Sequence, residues 1–271
     1  MANYKLLALD LDGTLTDSKK QISPLTKKRI DQAILAGVRI ILVSGRPLLG
    51  VVPVAEELNL YTRGGFLAAA NGGSVYDCGT GHMLFQATVP PAYYHIICQT
   101  PKVIPGLSVL TYDSQGIVSD HADAAYVRME AYNNSAACRQ AENLEADCGL
   151  EPKQKFIIAG EAEPLAMAYQ YLKERLNGLQ EIYYSTPYYV EVAPLGAEKA
   201  AAVERIVHYT GCVRQDLMAC GDGLNDIRML DYAGFAVAME NGCDEIKEHA
   251  DFISPSNDRD GVAVAIERYL L

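Results

Sequence analysis

Two aspartates stand two residues apart in Leu7-Ala8-Leu9-Asp10-Leu11-Asp12-Gly13-Thr14-Leu15, where a short apolar run breaks at once on a glycine. Such a run reads as a buried strand that ends in a tightly turned polar loop. In an extended chain the side chains at i and i+2 project from one face, so the spacing predicts that Asp10 and Asp12 point together beyond the strand end. Two adjacent anions repel, and the compensations open to them are a shared proton, which raises one pKa, or a hard cation bound by both. An Asx turn, in which the carboxylates bond backbone amides, is the other reading of the same stretch.

The elements around this pair repeat its pattern. Ser23-Pro24 supplies an N-cap and a first-turn proline for a helix over residues 24–36, and a nearly continuous apolar run over residues 38–43 then reads as a strand buried on both faces. It ends on Ser44-Gly45-Arg46-Pro47, a second polar loop, which leads into a helix over residues 47–58. A third short strand over residues 66–70 reaches Asn71-Gly72-Gly73, and a hairpin pairs residues 74–78 with 83–87. Residues 217–220 form one more buried strand, running into Gly221-Asp222-Gly223-Leu224-Asn225-Asp226, and alternating strands and helices follow to a C-terminal helix from about residue 261. This is the order of an α/β protein with a doubly wound, mostly parallel Rossmann-like core sheet, in which ligands bind at the carboxyl ends of the strands. The loops after residues 9, 43 and 220 should therefore converge.

Between residues 88 and 187 the rhythm changes. Strands over residues 107–112 and 116–120 and a helix over residues 162–176 predict an inserted α+β cap with an antiparallel sheet. Residues 188–192 read as a strand returning to the first domain, so the core is expected over residues 1–87 and 188–271. Eleven of the seventeen tyrosines lie between residues 93 and 189, which fits sheet propensity and half-buried packing and leaves room for a few to stack on a ring or sugar face.

The bulk composition narrows the partners. With 271 residues, 49% of them hydrophobic, the chain can build a substantial core. A net charge of -11 does not suit a nucleic acid polymer or an anionic membrane surface. Seven scattered cysteines, without a Cys-x-x-Cys pair or histidines at zinc spacing, read as reduced thiols. Residues 1–9 lack the pattern of a signal peptide and no run reaches membrane-span length, which points to the cytoplasm.

Asp10-Leu11-Asp12-Gly13-Thr14-Leu15, Ser44-Gly45-Arg46-Pro47, Lys199 and Gly221-Asp222-Gly223-Leu224-Asn225-Asp226 resemble, in order and spacing, the four motifs of the haloacid dehalogenase superfamily of phosphohydrolases. The tail from Ala236 to Gly242, with Lys247, Asp251 and Asp260-Gly261-Val262, is similar to the Cof-type subgroup, whose large α/β cap lies between the second and third motifs. The resemblance implies a Mg²⁺-dependent phosphatase acting on a small phosphorylated metabolite: a sugar phosphate, a nucleotide or a phosphorylated cofactor. It makes Asp10 the nucleophile that forms an aspartyl-phosphate, and Asp12 the acid that protonates the leaving alcohol and then the base that activates water. It places Leu11, Ser44, Gly45, Lys199 and Asn225 around the phosphoryl group. The metal falls to Asp10, Asp222 and the backbone carbonyl of Asp12, with Asp226 orienting metal-bound water. Two alternatives stay open: a phosphotransferase or mutase of the same fold, and a non-catalytic module that binds Mg²⁺ and phosphate. In such enzymes the cap closes over the leaving group, and residues 88–187, with 7 Lys and Arg against 12 Asp and Glu, do not favour a polyanionic one.

Overall fold

The computed structural model describes residues 4–271 as two compact units, one running through Phe85 and resuming from Glu198 to Leu271, the other from Gln86 to Ala197. The first is built on an eight-stranded sheet in the order Phe252–Ser254, Phe235–Met239, Leu217–Gly221, Leu6–Asp10, Arg39–Val43, Phe66–Ala69, Ser74–Asp77 and His82–Gln86. The first six strands of that order are parallel and Ser74–Asp77 turns antiparallel to its neighbour.

Alternation along the parallel strands explains their unbroken apolar sequences. Leu7, Leu9, Ile40, Leu42, Met218 and Cys220 enter one buried cluster, which takes in Ile30, Val51 and Ile266 from the helices Pro24–Leu35, Leu48–Glu57 and Gly261–Tyr269. Leu6, Ala8, Ile41, Val43, Leu217 and Ala219 enter another, which takes in Val203, Ile206 and Met229 from the helices Lys199–Tyr209 and Ile227–Tyr232. Both faces are dry, so every strand position wants an apolar side chain. The Pro24–Leu35 helix starts as the sequence predicts, with Ser23 Oγ accepting the Thr26 N–H at 3.0 Å.

Leu6–Asp10 lies between Leu217–Gly221 and Arg39–Val43, with Leu9 in register with both Cys220 and Leu42. From this strand the chain first builds outward on one side and later resumes on the other. The reversal falls beside Asp10, at the position where open α/β sheets open a crevice at their strand ends.

The second unit carries a six-stranded sheet in the order Glu181–Thr186, Tyr189–Ala193, Phe156–Ala159, Ser108–Asp113, Gly116–Ser119 and Cys138–Gln140. One face packs Val109, Phe156, Ile158, Val190 and Val192 against helices that include Ala162–Leu176. On the other face Lys155 Nζ donates to both oxygens of Glu191 at 3.0 Å, Tyr183 donates to Glu191 at 2.9 Å, and the Tyr112 hydroxyl donates to Glu130. The strand expected to return to the first domain near residue 188 does not do so. Tyr189–Ala193 pairs antiparallel with both Glu181–Thr186 and Phe156–Ala159, because the tight turn after Thr186 folds it back as a hairpin before the chain can leave the sheet. The helix that follows runs from Lys199 to Tyr209. The seven cysteines are free thiols, and among the described residues no helix is long and apolar enough to cross a membrane.

Burial pushes the Tyr112 phenol well above its usual value of 10.0, and the charge of Glu130 adds to the rise. The fold therefore favours the neutral phenol. Its contribution to stability is complete below about pH 10, the unfolded value, and is lost as pH rises through the folded value. Urea midpoints measured from about pH 9 to about pH 11.5 should fall more steeply for the parent chain than for Tyr112→Phe, and equal slopes would remove Tyr112 as the source.

Candidate active site

Three carboxylates and one ammonium meet where the central strands end. Asp10 closes the strand Leu6–Asp10, and Lys199 opens the helix Lys199–Tyr209. Lys199 Nζ donates to Asp10 Oδ1 at 2.6 Å and to Asp226 Oδ1 at 2.5 Å, and all three side chains are buried. The other oxygen of Asp226 accepts the backbone N–H groups of Asp222 at 3.1 Å and Gly223 at 2.9 Å, which ties the loop after Leu217–Gly221 into a tight turn. Thr14 Oγ1 donates to Asp222 Oδ1 at 2.6 Å, joining the loop after the first strand to this one. Gly13, at φ 85°, lets the two approach, since a methyl there would collide with the Asp222 carboxylate.

The charges do not balance within the cluster. Burial pushes the Asp10 carboxyl well above the usual carboxylate range; Asp226 and Asp222 raise it further, and Lys199 opposes. Burial raises Asp222 as well, against the Thr14 hydrogen bond. Burial alone would lower the Lys199 ammonium, but Asp10 and Asp226 outweigh it and hold the group charged. One cation thus faces two buried carboxylates and a half-buried third, in a setting where charge left uncompensated is expensive.

Asp12 behaves differently from Asp10. The regular strand stops at Asp10, so the alternation that would aim both side chains to one side is not continued. The Asp12 carboxylate instead accepts from Arg46 on both oxygens, Nε to Oδ2 at 2.7 Å and Nη2 to Oδ1 at 2.6 Å, and from Lys20 Nζ at 2.5 Å. Burial works to raise its pKa, but the Arg46 fork and Lys20 prevail and hold it below the usual range. Its carboxylate is therefore taken, and its backbone carbonyl is what it has left to offer a metal.

Ser44 is buried, and its Oγ accepts the Arg46 N–H at 3.1 Å, closing a small turn over Gly45. The Leu11 side chain is fully buried and its carbonyl accepts the Thr16 N–H at 2.9 Å, so only its amide can serve a ligand. Asn225 Nδ2 donates to Asn71 Oδ1 at 3.1 Å. Thr14, Lys20, Arg46 and Asn71 were not among the site residues expected from the sequence, although Thr14 and Arg46 stand inside its motifs. The signal for Arg46 was available, because a guanidinium is the side chain whose planar fork fits both oxygens of a carboxylate.

The donor set suits a hard divalent ion. Asp10, Asp222 and Asp226 each bring an oxygen, all within 4.8 Å of one another, and no soft or nitrogen ligand is among them. Asp226 already spends both oxygens on Lys199 and backbone amides, so Asp10 and Asp222 are the carboxylates placed to ligate.

The model of the haloacid dehalogenase-like hydrolases matches residues 7–266. A haloacid dehalogenase-like hydrolase from Bacteroides thetaiotaomicron, known by its crystal structure, superposes with a TM-score of 0.95 at 38% identity, over 98% of this chain and 99% of that one. The 5-amino-6-(5-phospho-D-ribitylamino)uracil phosphatase YcsE of Bacillus subtilis is 29% identical over 99% of this chain and 97% of its own. The HMP-PP phosphatase of Yersinia pseudotuberculosis is 26% identical over 90% of this chain and 87% of its own.

Removing the one ammonium should leave two buried carboxylates without their partner. Lys199→Met, unfolded in urea at neutral pH with chelator present, should lose about 3–5 kcal/mol relative to the parent. A loss under about 1 kcal/mol would mean that Lys199 does not hold the cluster together.

Proposed function

The chain belongs to the haloacid dehalogenase-like hydrolases and is a phosphatase of that family, and from that premise we propose that it hydrolyses a small phosphorylated metabolite with Asp10 as nucleophile. The observation that carries the assignment is the Asp10–Lys199–Asp226 bridge, buried beside Asp222. Asp10 attacks phosphorus and the ester oxygen leaves, giving an aspartyl-phosphate that water then cleaves. Lys199, fixed through Asp226, keeps the Asp10 carboxylate oriented for attack and offers positive charge to the equatorial oxygens. Ser44, with the amides of Leu11 and Gly45, and Asn225 supply the remaining donors to the phosphoryl group. Asp10, Asp222 and the Asp12 carbonyl would hold Mg²⁺, which supplies the charge that the carboxylate cluster and the incoming phosphate lack.

Asp12 moves the protons. As it stands, both of its oxygens are engaged by Arg46 and Lys20, so at least one of those bonds must open before the carboxyl can reach a leaving oxygen or a water. Arg46 therefore acts on the reaction through Asp12, by fixing where the carboxylate rests between transfers. The relatives whose names state a substrate act on 5-amino-6-(5-phospho-D-ribitylamino)uracil and on HMP-PP, and a small phosphorylated metabolite of cofactor type is the substrate proposed here.

A generic aryl phosphate tests the chemistry before the physiological substrate is known. The chain should release inorganic phosphate with Mg²⁺ and stop with chelator, and Asp10→Asn should lower kcat by about three orders of magnitude or more. Full activity in Asp10→Asn would sink the assignment. Phosphate appearing on an added sugar, in place of free phosphate, would make the protein a phosphotransferase.

A further inference from the structure

The chain leaves the strand Phe66–Ala69 through three successive residues with positive φ, Ala70 at 51°, Asn71 at 52° and Gly72 at 89°. Two of them carry a Cβ, and a left-handed backbone is sterically costly for such residues unless the surroundings enforce it. The neighbouring loop enforces it. Ser44 N–H donates to the Ala68 carbonyl at 2.8 Å, Asn71 N–H donates to the Ser44 carbonyl at 2.9 Å, and Ala70 N–H donates to the Arg46 carbonyl at 2.8 Å. The parallel ladder is in this way carried past the ends of both strands.

The same three residues touch two other loops. A Cβ on Gly72 would strike the Glu198 carbonyl and stand 2.9 Å from the Ala202 Cβ, so the turn is packed against the start of the helix that carries Lys199. The Asn71 carboxamide lies over Gly45, where a Cβ would stand 3.3 Å from Asn71 Oδ1, and the same oxygen accepts Asn225 Nδ2–H at 3.1 Å. Residues 70–72 therefore join the loops that hold Ser44, Lys199 and Asn225.

We infer that Asn71 is a positioning residue for the phosphoryl group, its carboxamide setting the orientation of Asn225 and seating the Ser44–Gly45 backbone beneath the phosphate. The inference rests on the phosphatase reading above. Asparagine suits the place for two reasons. It enters the left-handed region more readily than other residues with a Cβ, and it presents an acceptor to Asn225 without adding an anion beside a phosphate. Asn225 has two Nδ2 hydrogens, and once Asn71 takes one, the direction of the other is set. A turn that merely linked the strand to the following hairpin would need the backbone geometry but not the carboxamide.

The test uses the full chain with Mg²⁺ and an aryl phosphate. Asn71→Gly permits the positive φ and deletes only the carboxamide, Asn225→Ala deletes its partner, and a double variant carries both. Asn71→Gly should unfold thermally within about 2 °C of the parent or above it. Its kcat should fall about ten- to a hundredfold while KM moves less than about threefold. The double variant should lose no more than the worse single one, since both changes break the same coupled unit. Losses that multiply in the double variant, or a kcat within about twofold of the parent in Asn71→Gly, overturn the inference. Asn71→Asp guards against misfolding: it keeps the tolerance for positive φ and the acceptor oxygen, and it should fold like the parent with a KM raised several-fold by the added charge. An unchanged KM there also overturns the inference. A parent chain that releases no phosphate defeats the phosphatase reading itself, a result distinct from each of these.

Discussion

The ammonium of Lys199, buried and bonded to Asp10 on one side and Asp226 on the other, is the contact on which the arrangement of the site depends. A buried ion pair is a poor source of stability, because desolvating both partners costs about as much as their attraction returns. Here the balance is worse, since a third carboxylate, the half-buried Asp222, stands beside them. The burial that pushes Asp10 and Asp222 upward is the same burial that would make a bound cation favourable, because opposite charges attract most strongly where water is excluded. The site thus stores its ligand preference as an uncompensated excess of negative charge.

The sheet makes that excess possible. Leu6–Asp10 and Leu217–Gly221 are parallel neighbours, so their loops emerge at the same end, with Asp10 and Asp222 brought side by side. Apolar packing on both faces holds the two strands in register without any help from the charged ends. Stability is supplied by the interior of the sheet and chemistry by its edge, and the two meet at Gly13, where the absence of a side chain allows the loops to come within reach of each other. Asp226 shows the same division of labour, with one oxygen spent on the shape of its loop and the other on Lys199.

Much of this was legible in the residues. The alternation of buried strands with amphipathic helices predicted the parallel sheet, and the recurrence of polar loops after residues 9, 43 and 220 predicted that they would meet, because a parallel sheet leaves such loops no other end to occupy. The helix Ala162–Leu176 lies where its periodicity puts it. The strand Tyr189–Ala193 was assigned to the wrong sheet, since a strand's own sequence states that it will pair but not with which neighbour. The irregular stretch before it hid several short helices and strands, among them Leu144–Cys148 and Cys138–Gln140, that are too short to show a period.

By itself the sequence determined the class of fold, the order of the loops and the identity of the carboxylates, because these depend on residue type and on spacing along one segment. Spacing pointed Asp10 and Asp12 one way, and it was the family resemblance that gave them different roles. The tertiary structure separated their surroundings, burying Asp10 with Lys199 and Asp226 and giving Asp12 to Arg46 and Lys20. Asn71 and Thr14 acquired their partners in the same way, from residues more than 150 positions distant. The physical reason is that a charge or a carboxamide is defined by what surrounds it in space, and those surroundings came from loops that only the packing of the sheet brings together.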